Sequence, residues 1–512
     1  ATEAEGFAEG SNSKNSLWND KVNETVADNK DITVIVNNET VYAPKATASA
    51  VAKVDNTEYA TLQAAIAAAQ DGQTVTLLAD ATEDVTINKN ITLDLGGKTL
   101  TNTSTNADKA TISVSNGATA TVKNGSVMGG TSYYNIEVTK GSKANLTLED
   151  VTATAGNTGS SMIDNWGTLT IESGDYSGGM NTVKSEEGST LTINGGTFTC
   201  DFGKKWSYTA VILVYGDTTI NGGKFIQKTA NTSSYAQVVA TGIVDGYTAT
   251  TVITDGKFTN EKLSGIFWAL GKATSDNFEV SGGTFNKKVS ESYCADGFIP
   301  TKNADGTYGV KEGKFVAEVG STGYETFDEA IAAANASTNS KTVYLRENIT
   351  VDHQLVINNA KRKTITLDLN SFTLTSTYAI DTSNTNGSYA LVNKTALTVK
   401  NGTFAAGQAR AIGSLATLTL DGATVTQTLT GGHACVAFCA NDTAYTIKNS
   451  TITGAYAVCS FAHNAIITIT GSTLNGSGCG LYHNGSNYGL KLTVTNTTIN
   501  GSLDGAIGNE ND

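Results

Sequence analysis

Three cysteines, Cys439, Cys459 and Cys479, recur at intervals of twenty residues, and the last two open the phrases "CSFAH" and "CGLYH", which place His463 and His483 four residues on. Thiolate and imidazole are zinc ligands, so the pattern raises a metal site. In an extended strand, however, residues four apart are separated by about 13 Å, while zinc needs its ligands at about 2.0–2.3 Å. Only residues stacked from one turn of chain to the next could share an ion. Three readings stand: a structural stack of inward thiols, which a narrow core favours, a disulfide, or a metal centre. Cys200 and Cys294 have no such company and are read as core. No metal ligand set, cofactor or catalytic residue is assigned.

A different chemistry is offered by "CDFGKKWSYTA" at 200–210. Trp206 and Tyr208 could stack on the apolar face of a sugar, with Lys204 and Lys205 beside them to pair with the carboxylate of an acidic one. These four are the candidate ligand-binding residues. Trp166 in "DNWGTLTI" and Tyr215 in "VYGDTTI" stand at the same offset before their phrases, and Trp268 follows in "SGIFWALG". Trp166 and Trp268 are read first as core or corner fillers.

What must position these residues is a repeat. "LTINGGTF" at 191–198 returns as "TTINGGKF" at 218, "TVITDGKF" at 251, "FEVSGGTF" at 278, "LTIESGDY" at 169 and "LTVKNGTF" at 397, with looser copies elsewhere. Twelve copies carry an aliphatic third position: Val122, Leu148, Ile171, Ile193, Ile220, Ile253, Val280, Val399, Leu420, Ile447, Ile469 and Val494. Successive separations within each half run from 21 to 33 residues, the period of a stacked repeat and not of independent hairpins. The third and eighth positions are apolar, the first is mostly Leu, Ile, Phe or Tyr, and these three point inward. The second is Thr in ten copies and points outward, as a strand with one wet face requires. Gly at the sixth position in seven copies marks a tight corner. A strand, a corner, a second strand and a variable loop make one coil of a right-handed parallel β-helix. The leucine-rich repeat competes at this period, but its L-x-x-L-x-L-x-x-N phrase is absent.

A second repeat lies above the coils. "VAKVDNTEYATLQAAIAAAQ" at 51–70 matches "VAEVGSTGYETFDEAIAAAN" at 316–335, and "ITLDLGGKTLT" at 91 matches "ITLDLNSFTLT" at 365. Leu62, Ala65, Ile66 and Ala69, and likewise Phe327, Ala330, Ile331 and Ala334, follow the i, i+3, i+4, i+7 rule of a short amphipathic helix that would cap the open end of a coil. The expected organisation is a polar segment over 1–50 with a strand pair around Asn37-Asn38, a first module over 51–315 closed by a hairpin at Asp305-Gly306, and a second over 316–512. The second lacks a closing phrase like "ADGF...NADGTYGV", so further sequence is expected after Asp512.

The chain has 512 residues, 16% charged, 53 Gly, 2 Pro and a net charge of −14, with three arginines, Arg346, Arg362 and Arg410. Such a balance disfavours nucleic acid and anionic membranes as partners. No apolar run reaches 18 residues, so no spanning helix and no membrane insertion is expected. The opening "ATEAEGFAEG" is not a signal peptide, and an extracellular or cell-surface location fits the Thr/Asn/Gly-rich surface, any signal peptide having been removed.

The cap phrase, the "ITLDLGGKTLT" strand, the "TINGGTF" coils and the "ADGF...NADGTYGV" closing together resemble the pectin-lyase-like β-helix modules found in tandem on surface proteins of gut bacteria. The resemblance covers residues 51–512 and implies architecture more than activity. It implies a non-catalytic, adhesive role toward host or dietary glycans or host surface proteins, with a polysaccharide lyase or other carbohydrate-active enzyme as the alternative. The hydrolases of that superfamily use clustered aspartates with Gly-His-Gly and Arg-x-Lys. Here the nearest phrase is Gly432-His433-Ala434, with no Asp-Asp pair before it and no arginine after Arg410. The lyases need a basic residue beside carboxylates. The first module has no arginine, although Lys could substitute, and Glu149 and Glu172, equivalent on neighbouring copies, offer a small acidic patch. A carboxylate cluster with Lys or Arg on one face of adjacent coils would separate enzyme from binding module.

Overall fold

A computed structural model describes residues 34–36, 39–42, 50–103, 109–130, 133–155, 159–202, 209–228, 236–380, 389–431, 433–484, 489–502 and 505–509. Contacts divide the chain into two compact units, Ala1–Glu312 and Gly313–Asp512. Each is built of short strands paired mostly in parallel, a parallel β-solenoid. Ahead of the first coils, Val34–Val36 pairs antiparallel with Glu39–Tyr42.

In the first unit the third-position residues form one unbroken ladder: Val122 faces Leu148, then Ile171, Ile193, Ile220, Ile253 and Val280 in turn. All seven are fully buried. The second unit repeats this with Val399, Leu420, Ile447, Ile469 and Val494. Four of these five are buried, but Val494 is 40% exposed. Its strand, Lys491–Thr495, has Ile466–Thr470 on one side and no described strand on the other, so half of the shelter that its equivalents share is missing.

The glycine corners are of two kinds. At Gly196 the chain turns with φ +99°, a conformation open to glycine and closed to most residues. In the "KNG" copies the positive φ belongs to the preceding residue, Asn124 or Asn401, and the strand runs on for ten residues, as in Thr119–Met128. There the glycine is needed for space: a Cβ on Gly125 would lie 2.4 Å from that of Leu95.

The ends are closed by different elements. Helix α1 (Leu62–Ala68) buries Leu62, Ala65 and Ile66 in the core of the first unit. Its N-terminus is fixed by Thr61, whose Oγ accepts from the Ala64 N–H, and by Glu83, whose carboxylate accepts from the N–H groups of Leu62 and Gln63 at 2.7 and 3.0 Å. Helix α2 (Phe327–Ala336) buries Phe327, Ala330, Ile331 and Ala334 in the second. At the far end of the first unit Phe298–Lys302 and Tyr308–Glu312 form an antiparallel hairpin whose second strand also pairs with the last coil.

Besides the motif strands, the first unit has an eight-stranded parallel sheet that includes Ile112–Val114, Ile136–Val138, Ile163–Asn165, Val183–Ser185, Thr209–Val214, Ala236–Ile243 and Phe267–Gly271. Its inward residues, such as Ile136, Ile163, Val183 and Ile212, join the core, which turns the middle residue of each strand to the opposite face.

Candidate functional site

That outward column brings chemistry together. Ser113, Glu137, Asp164, Lys184, Leu213, Ala240 and Trp268 stand level on successive strands. Two residues further along each strand come Trp166, Glu186 and Tyr215, at matching positions after Asp164, Lys184 and Leu213. Two carboxyls from neighbouring coils thus converge with a lysine and two rings.

Asp164 is fully buried and Glu186 nearly so. The Trp166 indole N–H donates to Asp164 Oδ2 at 2.8 Å, and Lys184 forms an ion pair with Glu186. Among the described residues Asp164 Oδ1 is buried with no hydrogen-bond partner, and the Glu186 carboxyl lies close enough to raise the Asp164 pKa. Two ionised carboxylates have only acceptors to offer each other, so the pair is satisfied when it shares a proton. Burial first, then the charge of Glu186, push the Asp164 carboxyl up to about 7, while Lys184 and the Trp166 N–H pull the other way. Glu137, on the coil before, is also raised by burial, with the Ser113 hydroxyl opposing. The phenol of Tyr134 is raised by its own burial and by Asp164.

Rings frame these acids. Lys140 Nζ sits 3.8 Å from the centre of the Trp166 ring, and Lys184 Nζ 5.8 Å from that of Tyr215. The Tyr215 ring lies against Gly242, where a Cβ would come within 2.4 Å of it. Trp268 and Tyr215 pack on the outward cluster of Ala210, Leu213, Ala240 and Leu270. Trp166 and Trp268 are half-buried on this face and do not belong to the main core.

Lys204, Lys205, Trp206 and Tyr208 lie outside the described residues. Glu149 and Glu172 project from the motif sheet, apart from the buried pair, and Glu172 accepts from Asn194 at 2.9 Å. The cysteines correct the expected inward stack. Register sets Cys459 level with Ala437 and Tyr482, and Cys479 level with Tyr456, so the spacing of twenty is broken by a bulge between Gly454 and Tyr456. Cys459 packs with Tyr389 and Ala437 on the outer face, while Cys479 is buried and donates to the Leu481 carbonyl. No disulfide joins any of the six, and among the described residues no group of three or more His, Cys, Asp or Glu is placed to hold a metal ion.

No family model matches this chain, and no curated protein and no solved structure does. What the coordinates define is the class, a parallel β-solenoid; among the described residues no helix is long and apolar enough to cross a membrane.

Proposed function

We propose that the first unit is a carbohydrate-binding β-solenoid that grips saccharide across the coils bearing Glu137, Asp164 and Lys184. The observation that carries this reading is the buried Asp164–Glu186 pair set between the half-buried rings of Trp166 and Tyr215 on a rigid ladder. Aromatic faces take the apolar side of a sugar ring, and a few fixed polar groups orient its hydroxyls. The buried carboxyl pair fixes the groups that reach the surface, Asp164 holding the Trp166 N–H and Glu186 holding Lys184. Display on a cell surface or export, with an adhesive role toward glycans, is the biological setting we infer from the polar, Thr-rich coils and the resemblance to surface modules. A glycan array with the intact chain tests the reading. Binding lost in Trp166→Ala and Tyr215→Ala supports it; no binding to any glycan removes it. Binding that survives both changes and is lost in Trp206→Ala, Tyr208→Ala moves the site to the neighbouring loop.

A second reading, carbohydrate cleavage, is favoured by one feature: an acid that keeps its proton near neutral pH beside a second carboxyl is the equipment of general acid catalysis. Release of new sugar ends from any glycan that binds, abolished in Asp164→Asn, would establish it; binding without cleavage leaves the binding reading.

A further inference from the structure

The second unit carries the opposite electrostatics on its outer face. Arg410, one of three arginines in a chain of net charge −14, opens the strand Arg410–Ser414. It stands level with Tyr389 of the strand Tyr389–Asn393, and His433 lies just before the strand Ala434–Phe438. Arg410 Nη1 donates to Tyr389 Oη and Nη2 to His433 Nδ1, each at 3.4 Å, and its Cζ is 5.5 Å from the Tyr389 ring centre. Among the described residues it makes no ion pair with a carboxylate. Its other neighbours among the described residues are neutral: the thiols of Cys439 and Cys459, both near Arg410, and Tyr456, whose N–H donates to the His433 carbonyl at 3.3 Å.

We propose that Arg410, His433 and Tyr389 form a binding site for an oxyanion, a carboxylate or sulfate group. A half-buried guanidinium answered only by neutral groups at long hydrogen-bond distance keeps most of its five donors available, and its planar fork matches the two oxygens of such a group. Because guanidinium only donates, Nδ1 of His433 must accept and the ring is uncharged in the free protein. Consistently, burial and then the Arg410 charge hold the His433 imidazole below its usual range. An anion arriving between the two side chains removes that repulsion, so His433 takes up a proton and becomes a second cationic donor. Binding therefore strengthens as pH falls.

The test reads the four histidines by NMR while sulfate, and separately glucuronate with glucose as the neutral control, is titrated into the full chain. The expected result is an upward pKa shift confined to His433, and an affinity that falls by up to about tenfold per pH unit between the His433 pKa of the free protein and that of the complex, levelling off above the latter. Arg410→Gln, with its fold checked by circular dichroism, should abolish the shift. A response to sulfate alone assigns a sulfated or phosphorylated ligand, and a response to glucuronate but not glucose assigns a carboxylated one. Equal shifts at all four histidines, no shift at His433, or a shift that persists in Arg410→Gln would overturn the proposal. The site lies in the other unit from the proposed saccharide face, so either can fail without the other.

Discussion

The ring of Phe198 lies on that of Phe225 with centroids 5.0 Å apart and planes 8° from parallel. The stack continues through Tyr176 on one side and through Phe258 and Phe285 on the other, at 4.8–5.1 Å. The spacing is that of neighbouring strands, about 4.8 Å, so the sheet imposes it on the rings. Phe225 is fully buried inside this column, and its removal would leave a cavity that neighbours on both sides cannot fill. Phe225→Ala should therefore cost about 3–5 kcal/mol, and Phe225→Leu distinctly less. Denaturant unfolding measures both; a cost under about 1 kcal/mol for the alanine variant would refute the packed column.

Gly125 gives a sharper test, because its role is spatial. Its φ is ordinary, yet an added Cβ would collide with Leu95. Gly125→Ala is expected to destabilise by about 1–3 kcal/mol through overpacking. In a Leu95→Gly background the same change should cost much less, since the Leu95 Cβ, the nearest obstacle at 2.4 Å, is then gone. Equal costs in both backgrounds would show that the Lys98 carbonyl, 2.7 Å from the added carbon, is the decisive obstacle.

The Asp164 carboxyl links stability to pH. Its folded value of about 7 lies above the ordinary carboxylate value of about 3.9, so the stability it confers is full below pH 4 and is lost as pH rises through 7. Asp164→Asn removes this proton while keeping the shape. The melting temperature of the variant should fall less steeply between pH 4.5 and 8 than that of the natural chain, and should equal or exceed it at pH 8. The same slope in both proteins would mean that the carboxyl titrates normally.

The ladders were legible because their period is carried by residues that repeat in type: the column from Val122 to Val280 and the phenylalanines are visible in the phrases themselves. The carboxyl pair was not. Trp166 and Tyr215 share an offset before their phrases, but Glu186, at the matching position in the coil between, stands two residues earlier relative to its phrase. The turn "SEEGST" is two residues longer than "NWGT", and counting back from the motif misses Glu186 for that reason. Burial of Asp164 is equally invisible in sequence, since an outward strand position reads as solvated until neighbouring chain covers it. Arg410 and His433 meet across strands 23 residues apart, a pairing that only the register reveals.

Trp166 serves the proposed face with two separable parts, its ring and its N–H. The ring supports Lys140 and supplies a stacking surface, whereas the N–H donates to Asp164 Oδ2 and favours its ionised form. Trp166→Phe keeps a ring and deletes the donor. A hydrogen bond to a charged group contributes roughly 1.5–3 kcal/mol, which corresponds to about one to two pKa units if the bond forms only with the ionised carboxyl. The Asp164 titration, followed by carboxyl NMR, should accordingly move up in Trp166→Phe, and any saccharide binding that depends on the shared proton should persist to higher pH. Trp166→Ala should move the titration in the same direction and lose the stacking as well. An unchanged or lowered midpoint in Trp166→Phe would show that the indole does not govern the acid, and would leave its ring as the only part that matters to the site.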